Sequence, residues 1–129
     1  MVSFEGALPT VLVVEDYDDT RLMMKRMLEL EGYAVVEAVD GQQAVELAAR
    51  VLPALILMDL NLPVLNGFEA TRLIHGGAET RDVPIVAVSA QCVGEFRQRA
   101  LDAGCQECVQ KPVNFATLRA VVGRYLGER

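Results

Sequence analysis

Short apolar runs alternate five times with longer segments in which apolar residues recur every three or four positions. The runs near residues 11–15, 33–38, 54–59, 84–89 and 106–110 are short and mostly rich in β-branched residues, which predicts strands. The intervening periodicity predicts helices near 18–31, 41–51, 66–75, 92–103 and 114–126. The runs at 11–14, 54–58 and 85–88 are apolar without alternation, as expected of strands covered on both faces. Repeated strand–helix units with right-handed crossovers predict an α/β fold built on an open, doubly wound, five-stranded parallel sheet.

Local signals set the helix limits. Asp40 with Gln43, and Asn66 with Glu69, have capping-box spacing, and Asn114 is placed to cap the last helix. One of Asp18 and Asp19 is expected to cap the first. Gly32 and Gly104 stand where a left-handed residue closes a helix. Met23, Met24 and Met27 have helical spacing and predict core filler. The first ten residues and the last three are expected to fray.

With 129 residues the chain makes one domain, residues 1–129, with a core from about 11 to 126. A net charge of −6 with no Lys/Arg run argues against direct nucleic-acid binding. The N-terminus lacks a basic start and a sustained apolar segment, so no signal peptide is expected. No apolar run approaches the roughly 20 residues of a membrane-spanning helix. Three cysteines, an odd number, fit a reducing compartment better than a disulfide framework, and a cytoplasmic location is expected.

The chemistry collects at the strand ends. Val11–Val14 stops at Glu15-Asp16, Ala54–Met58 at Asp59, Ile85–Val88 at Ser89, and the last run near Lys111. In a parallel sheet the carboxyl ends share one edge, so three carboxylates, a hydroxyl and an ammonium should converge there. Hard oxygens suit a divalent cation, a lysine suits phosphate, and one carboxylate is left to act as nucleophile. Asp16 and Asp59 could chelate Mg²⁺ with Glu15 in an outer shell, and the cation would relieve the repulsion among clustered acids.

These residues resemble the receiver domains of two-component response regulators, of the single-domain chemotaxis type. Val11-Leu12-Val13-Val14-Glu15-Asp16 is similar to the family's first strand and acidic pair. The segment from Asp59 through Pro63 to Gly67 resembles the phosphoacceptor loop, Ser89-Ala90 the switch hydroxyl pair, and Lys111-Pro112 the lysine with its cis-proline. The resemblance runs in order from about Val11 to Leu126. It implies a flavodoxin-like sheet of strand order 2-1-3-4-5. It also implies a phosphorylation switch, not an enzyme in the ordinary sense: Asp59 takes a phosphoryl group from a phosphohistidine on a sensor kinase or phosphotransfer protein, and slow self-dephosphorylation resets it. Mg²⁺ is then held by Asp16, by Asp59 and by the carbonyl of Asn61, with Glu15 acting through water. Ser89 and Lys111 bind phosphoryl oxygens, and the reshaped surface is read by a downstream protein target.

The chain departs from that family in places. Leu62 stands where Met is usual, a volume-conserving change. Three residues before Lys111, where an aromatic commonly changes rotamer, the chain has Cys108. A thiol cannot vacate an aromatic-sized pocket, so the response is expected in the loop from Ser89 to Phe96 instead. Asn61 and Gln91 occupy positions that tune phosphate loss in the family.

Cys105-Gln106-Glu107-Cys108 has C-x-x-C spacing, but a zinc site wants four ligands and only Cys92 and His75 remain, so structural thiols are expected. His75 is expected to face solvent or the negative end of its helix. An Mg²⁺-dependent aspartate phosphohydrolase would want a second aspartate two residues after the nucleophile, where Asn61 stands. A receiver-like module that is never phosphorylated is a third alternative. No glycine-rich nucleotide fingerprint follows the first strand.

Overall fold

In a computed structural model that describes residues 8–127, the five apolar runs are strands and the five periodic segments are helices. The order is β1 (Thr10–Val14), α1 (Asp18–Leu30), β2 (Ala34–Ala38), α2 (Gly41–Val51), β3 (Leu55–Met58), α3 (Gly67–His75), β4 (Ile85–Ser89), α4 (Gly94–Ala103), β5 (Glu107–Gln110) and α5 (Phe115–Leu126). All strands are parallel and run across the sheet as β2-β1-β3-β4-β5. The expected fraying of residues 1–7 and 128–129 lies outside the described residues. Thr10 departs from that expectation, because it is already paired with Ala34 at the start of β1.

Every residue of β3 and β4 is buried, as is all of β1 but Thr10, while the edge strands β2 and β5 are mostly half-buried. The uninterrupted apolar runs have their cause here, since alternate residues feed two different cores. Leu12, Val14, Ile56, Met58, Ile85 and Ala87 face one side, against Ala48, Phe68, Ile74 and Ala100 of α2, α3 and α4. Val11, Val13, Leu55, Leu57, Val86 and Val88 face the other, against Met24, Leu28, Leu118 and Val122 of α1 and α5. Burying each such aliphatic side chain contributes about 1.5–3 kcal/mol before the entropy of ordering is subtracted.

The caps at α2, α3 and α5 form as expected. Asp40 accepts from the Gln43 amide at 2.8 Å, Asn66 from Glu69 at 3.0 Å and Asn114 from Thr117 at 2.8 Å. Gly32 and Gly104 take positive φ, 92° and 124°. The first helix departs from expectation, because its N-cap is Tyr17 without a side-chain bond, and Asp18 and Asp19 lie inside the first turn. There their charge meets the positive end of the helix dipole, and Asp18 also pairs with Arg21 at 2.7 Å. Only part of the methionine expectation holds. Met24 is buried and Met27 half-buried, but Met23 is 40% exposed. His75 is exposed at the end of α3, with its ring over Gly104, where a Cβ would come within 2.8 Å of the imidazole.

Candidate functional site

The register of the central strands places the acids side by side. Val14 pairs with Met58, so the next residues, Glu15 and Asp59, leave β1 and β3 at the same level. Asp59 N–H donates to the Val14 carbonyl at 3.0 Å and Glu15 N–H to that of Ala38 at 3.0 Å. Glu15 and Asp59 are buried, Asp16 is exposed, and one carboxylate oxygen of each lies within 4.8 Å of the others. Asn61 N–H donates to Asp59 Oδ1 at 3.2 Å and holds the carboxylate in place. Gly67 is required behind this loop, since a Cβ there would meet the Asp59 carbonyl oxygen at 2.2 Å. Leu62, in the same loop, is buried in the core beneath it.

The other half of the site comes from β4 and β5. Ser89 pairs with Gln110, and Lys111 N–H donates to the Ser89 carbonyl at 2.8 Å. The Lys111–Pro112 peptide is cis, as the resemblance implied. Lys111 reaches back across the sheet edge to Glu15 Oε1 at 2.6 Å and to Asp59 Oδ2 at 3.5 Å. The ammonium therefore sits closer to Glu15 than to Asp59. Asp59, Asn61, Ser89, Gln91 and Lys111 line one cleft of about 470 Å³, with Phe68 and Phe96 on its far side. A second, apolar groove of about 360 Å³ lies between α1 and the β5–α5 loop and shares Ala90 and Lys111 with the cleft.

Electrostatics follow from this packing. Burial, reinforced by the neighbouring Glu15 charge, pushes Asp59 up to about 6, against the partial relief given by Lys111 and the Asn61 amide. Burial alone would lower Lys111, but its bonds to Glu15 and Asp59 outweigh that and raise it. At neutral pH the site thus holds an ionised but destabilised Asp59 carboxylate beside a firmly protonated lysine.

The cysteines differ from expectation. Cys105 and Cys108 do not pair; Cys92 and Cys108 are joined by a disulfide with a Cα–Cα distance of 5.6 Å. Cys108 pairs with Ala87 in the β4–β5 ladder and packs against the same core face, and the chain after Ser89 returns over that face to bring Cys92 to it. The bridge stands where an aromatic was missed. Cys105 stays reduced and buried beside the Thr71 hydroxyl at 3.8 Å, and burial pushes its thiol up to about 11. Equal spacing was the available signal: Cys92 lies three residues after Ser89, and Cys108 three before Lys111.

Comparison with known proteins agrees with the fold. Residues 11–123 match the model of the response regulator receiver domain, so the chain belongs to that family, the phosphoacceptor switches of two-component signalling. It is 30% identical over 119 residues to the polar-differentiation response regulator DivK of Brucella anthropi, covering 92% of this chain and 97% of that protein. It is 38% identical to the receiver domain of a Pseudomonas aeruginosa sensor histidine kinase, whose crystal structure has magnesium coordinated in the active-site cleft. That likeness has a TM-score of 0.88 and covers 95% of this chain and all of that one. The chemotaxis protein CheY4 of Vibrio cholerae is 30% identical with a TM-score of 0.88, over 93% of this chain and all of CheY4. Among the described residues no helix is long and apolar enough to cross a membrane.

Proposed function

We propose that Asp59 is the phosphoacceptor of this switch and that a phosphohistidine on a sensor kinase or phosphotransfer protein is its donor. The observation that carries this reading is the position of Asp59. Among the described residues it is the one buried carboxylate that has two further acids within 4.8 Å, a lysine at 3.5 Å, and a place in a cleft with a hydroxyl. An Asp59 oxygen forms the new bond to phosphorus as the phosphorus–nitrogen bond breaks, and the donor imidazole leaves neutral after taking a proton. Lys111 neutralises charge on the transferring group, and the Ser89 hydroxyl is free to donate to it, since it only accepts the Gln91 amide now, at 3.2 Å.

The donor set suits Mg²⁺, which prefers hard oxygens and tolerates exposed ligands that leave room for solvent. Asp16 and Asp59 would hold it with the Asn61 carbonyl, and Glu15 would act from behind; the magnesium in the Pseudomonas receiver domain supports this assignment. When bound, the cation supplies charge neutralisation for the incoming phosphoryl group. Donors of this kind are charged from ATP, which supports a cytoplasmic location, and the signal would pass to a downstream protein target. Incubation with acetyl phosphate and Mg²⁺, followed by intact-mass measurement, should add one phosphate that Asp59→Asn abolishes. An adduct that persists in the variant would move the acceptor elsewhere, and its absence from the wild type would favour an interaction module that is never phosphorylated.

A further inference from the structure

We propose that Cys92 and Cys108 form a redox-modification site, whose disulfide clamps the β4–α4 loop to β5 and whose dithiol form releases that loop.

The two cysteines flank the responding half of the cleft. Cys92 sits in the loop between Ser89 and α4, and Cys108 sits in β5 just before Lys111. Among the described residues the loop is otherwise hydrogen-bonded to β5 by a single side chain: Gln110 Oε1 accepts from Cys92 N–H at 3.0 Å, and Gln110 Nε2 donates to the Ala90 carbonyl. Beyond Cys92 a single loop residue, Val93, precedes α4; it is exposed, as are Gly94 to Arg99 at the start of that helix, and Gly94 turns with φ of 57°. With the disulfide present, the segment after Ser89 is fixed covalently as well as by hydrogen bonds. Without it, two hydrogen bonds from one exposed glutamine remain.

The chemistry is a two-electron exchange. The half-buried Cys108, as thiolate, attacks a small-molecule disulfide, forms a mixed disulfide and expels one thiol. Cys92 then displaces the second, so two protons and two electrons pass from the chain to the reagent. A dithiol reductant reverses both steps. Cys105 does not compete, since it is buried in the apolar core beside Thr71. In a reducing compartment the dithiol form prevails, and oxidation there reads out a change in redox poise.

The consequence for signalling rests on Asp59 being the phosphoacceptor. A phosphoryl group at Asp59 can draw the Ser89 hydroxyl inward only if the following loop can move, so the oxidised chain should accept phosphate yet transmit little of it.

The test uses the full chain in two states, treated with glutathione disulfide or with a dithiol. Alkylation after denaturation, read by mass, should find one free thiol in the first state and all three in the second. Amide exchange at Gln91 and Cys92, without phosphodonor, should be slower by roughly tenfold in the oxidised state. The Cys92→Ser/Cys108→Ser double variant should behave as reduced whatever the reagent. Three alkylatable thiols after oxidation, or equal exchange in both states, would overturn the clamp. With acetyl phosphate and Mg²⁺, exchange in the loop should rise several-fold in the reduced chain and stay nearly unchanged in the oxidised one; equal responses would overturn the gating. Absence of any phosphate adduct in either state would sink the Asp59 assignment and the gating with it, while the exchange measured without donor would still decide the clamp.

Discussion

The two halves of the cleft are held by different physics. The acid half, from β1 and β3, is electrostatically unsettled: two buried carboxylates share a single lysine, and a third, exposed one lies beside them. The responding half, from β4 and β5, carries no net electrostatic conflict, yet its exposed loop is tied down by a disulfide and one glutamine. The first half is built to gain from an incoming cation or proton. The second is built to resist motion until a tie is cut. A switch needs both properties, and the fold separates them by giving each to a different pair of strands.

Removing the lysine should expose the conflict most strongly. Glu15 is 3% exposed in its side chain and has its only ammonium partner among the described residues at 2.6 Å, so Lys111→Ala leaves a buried charge with the Tyr17 amide, at 3.1 Å, as its remaining partner. We expect a loss of about 2–3 kcal/mol at neutral pH, below the upper range for buried pairs because Lys111 keeps some contact with solvent. Mg²⁺ should bind this variant at least as well as wild type, since a competing cation is gone. Thermal or urea melts with and without Mg²⁺ check both points. A variant as stable as wild type without metal would mean that the acid half is not in conflict.

Removing the charge of Asp59 should act in the opposite direction. The value of about 6 for Asp59 lies above its ordinary 3.8, so between these pH values the folded chain keeps a proton that the unfolded chain has released. That contribution to stability is full below the unfolded value and is lost as pH rises through the folded one. Metal-free wild type should therefore gain stability on acidification from pH 7 to 5, and Asp59→Asn should be more stable than wild type at pH 7 by about 1–2 kcal/mol and lose most of that slope. Glu107 works against this trend only at lower pH. Burial opposes its ionised form, but hydrogen bonds from Tyr125 and Arg124 dominate and lower it below the ordinary glutamate range. Identical pH dependence in wild type and Asp59→Asn would remove Asp59 as the source.

The acid half was legible in the sequence because its geometry follows from generic rules. An apolar run that ends in a carboxylate puts that carboxylate at the sheet edge, and parallel register does the rest; Glu15, Asp16 and Asp59 needed nothing more. Lys111 and Ser89 were legible on the same ground, although the preference of Lys111 for Glu15 over Asp59 depends on side-chain reach that no spacing encodes. The disulfide was not read, because it depends on an irregular loop turning back over β5. The C-x-x-C pattern also drew attention to Cys105, which faces the core. The missing cap on α1 has a similar origin: Asp18 and Asp19 are good capping residues, but Glu15 already engages the Tyr17 amide at 3.1 Å and starts the helix one residue earlier.

The smallest effect separates the two ties of the responding half. Gln110→Ala removes the bonds to Cys92 N–H and to the Ala90 carbonyl, both on an exposed side chain, and should cost only about 0.5–1 kcal/mol. Its local effect depends on the other tie. In the oxidised chain the Cys92–Cys108 bond still holds the loop, so exchange at Gln91 and Cys92 should quicken modestly. In the reduced chain nothing comparable replaces the glutamine at Cys92, whose amide should approach the rate of an unstructured segment, while Gln91 keeps its bond to Ser89 and β4 and β5 keep their protection. Amide exchange of the variant in both redox states reads this directly. If the glutamine matters equally in both, the two ties act independently and the loop does not move as one body. A larger effect in the reduced chain means that the disulfide masks the glutamine's share, so that reduction loosens the loop and loss of both ties frees it fully.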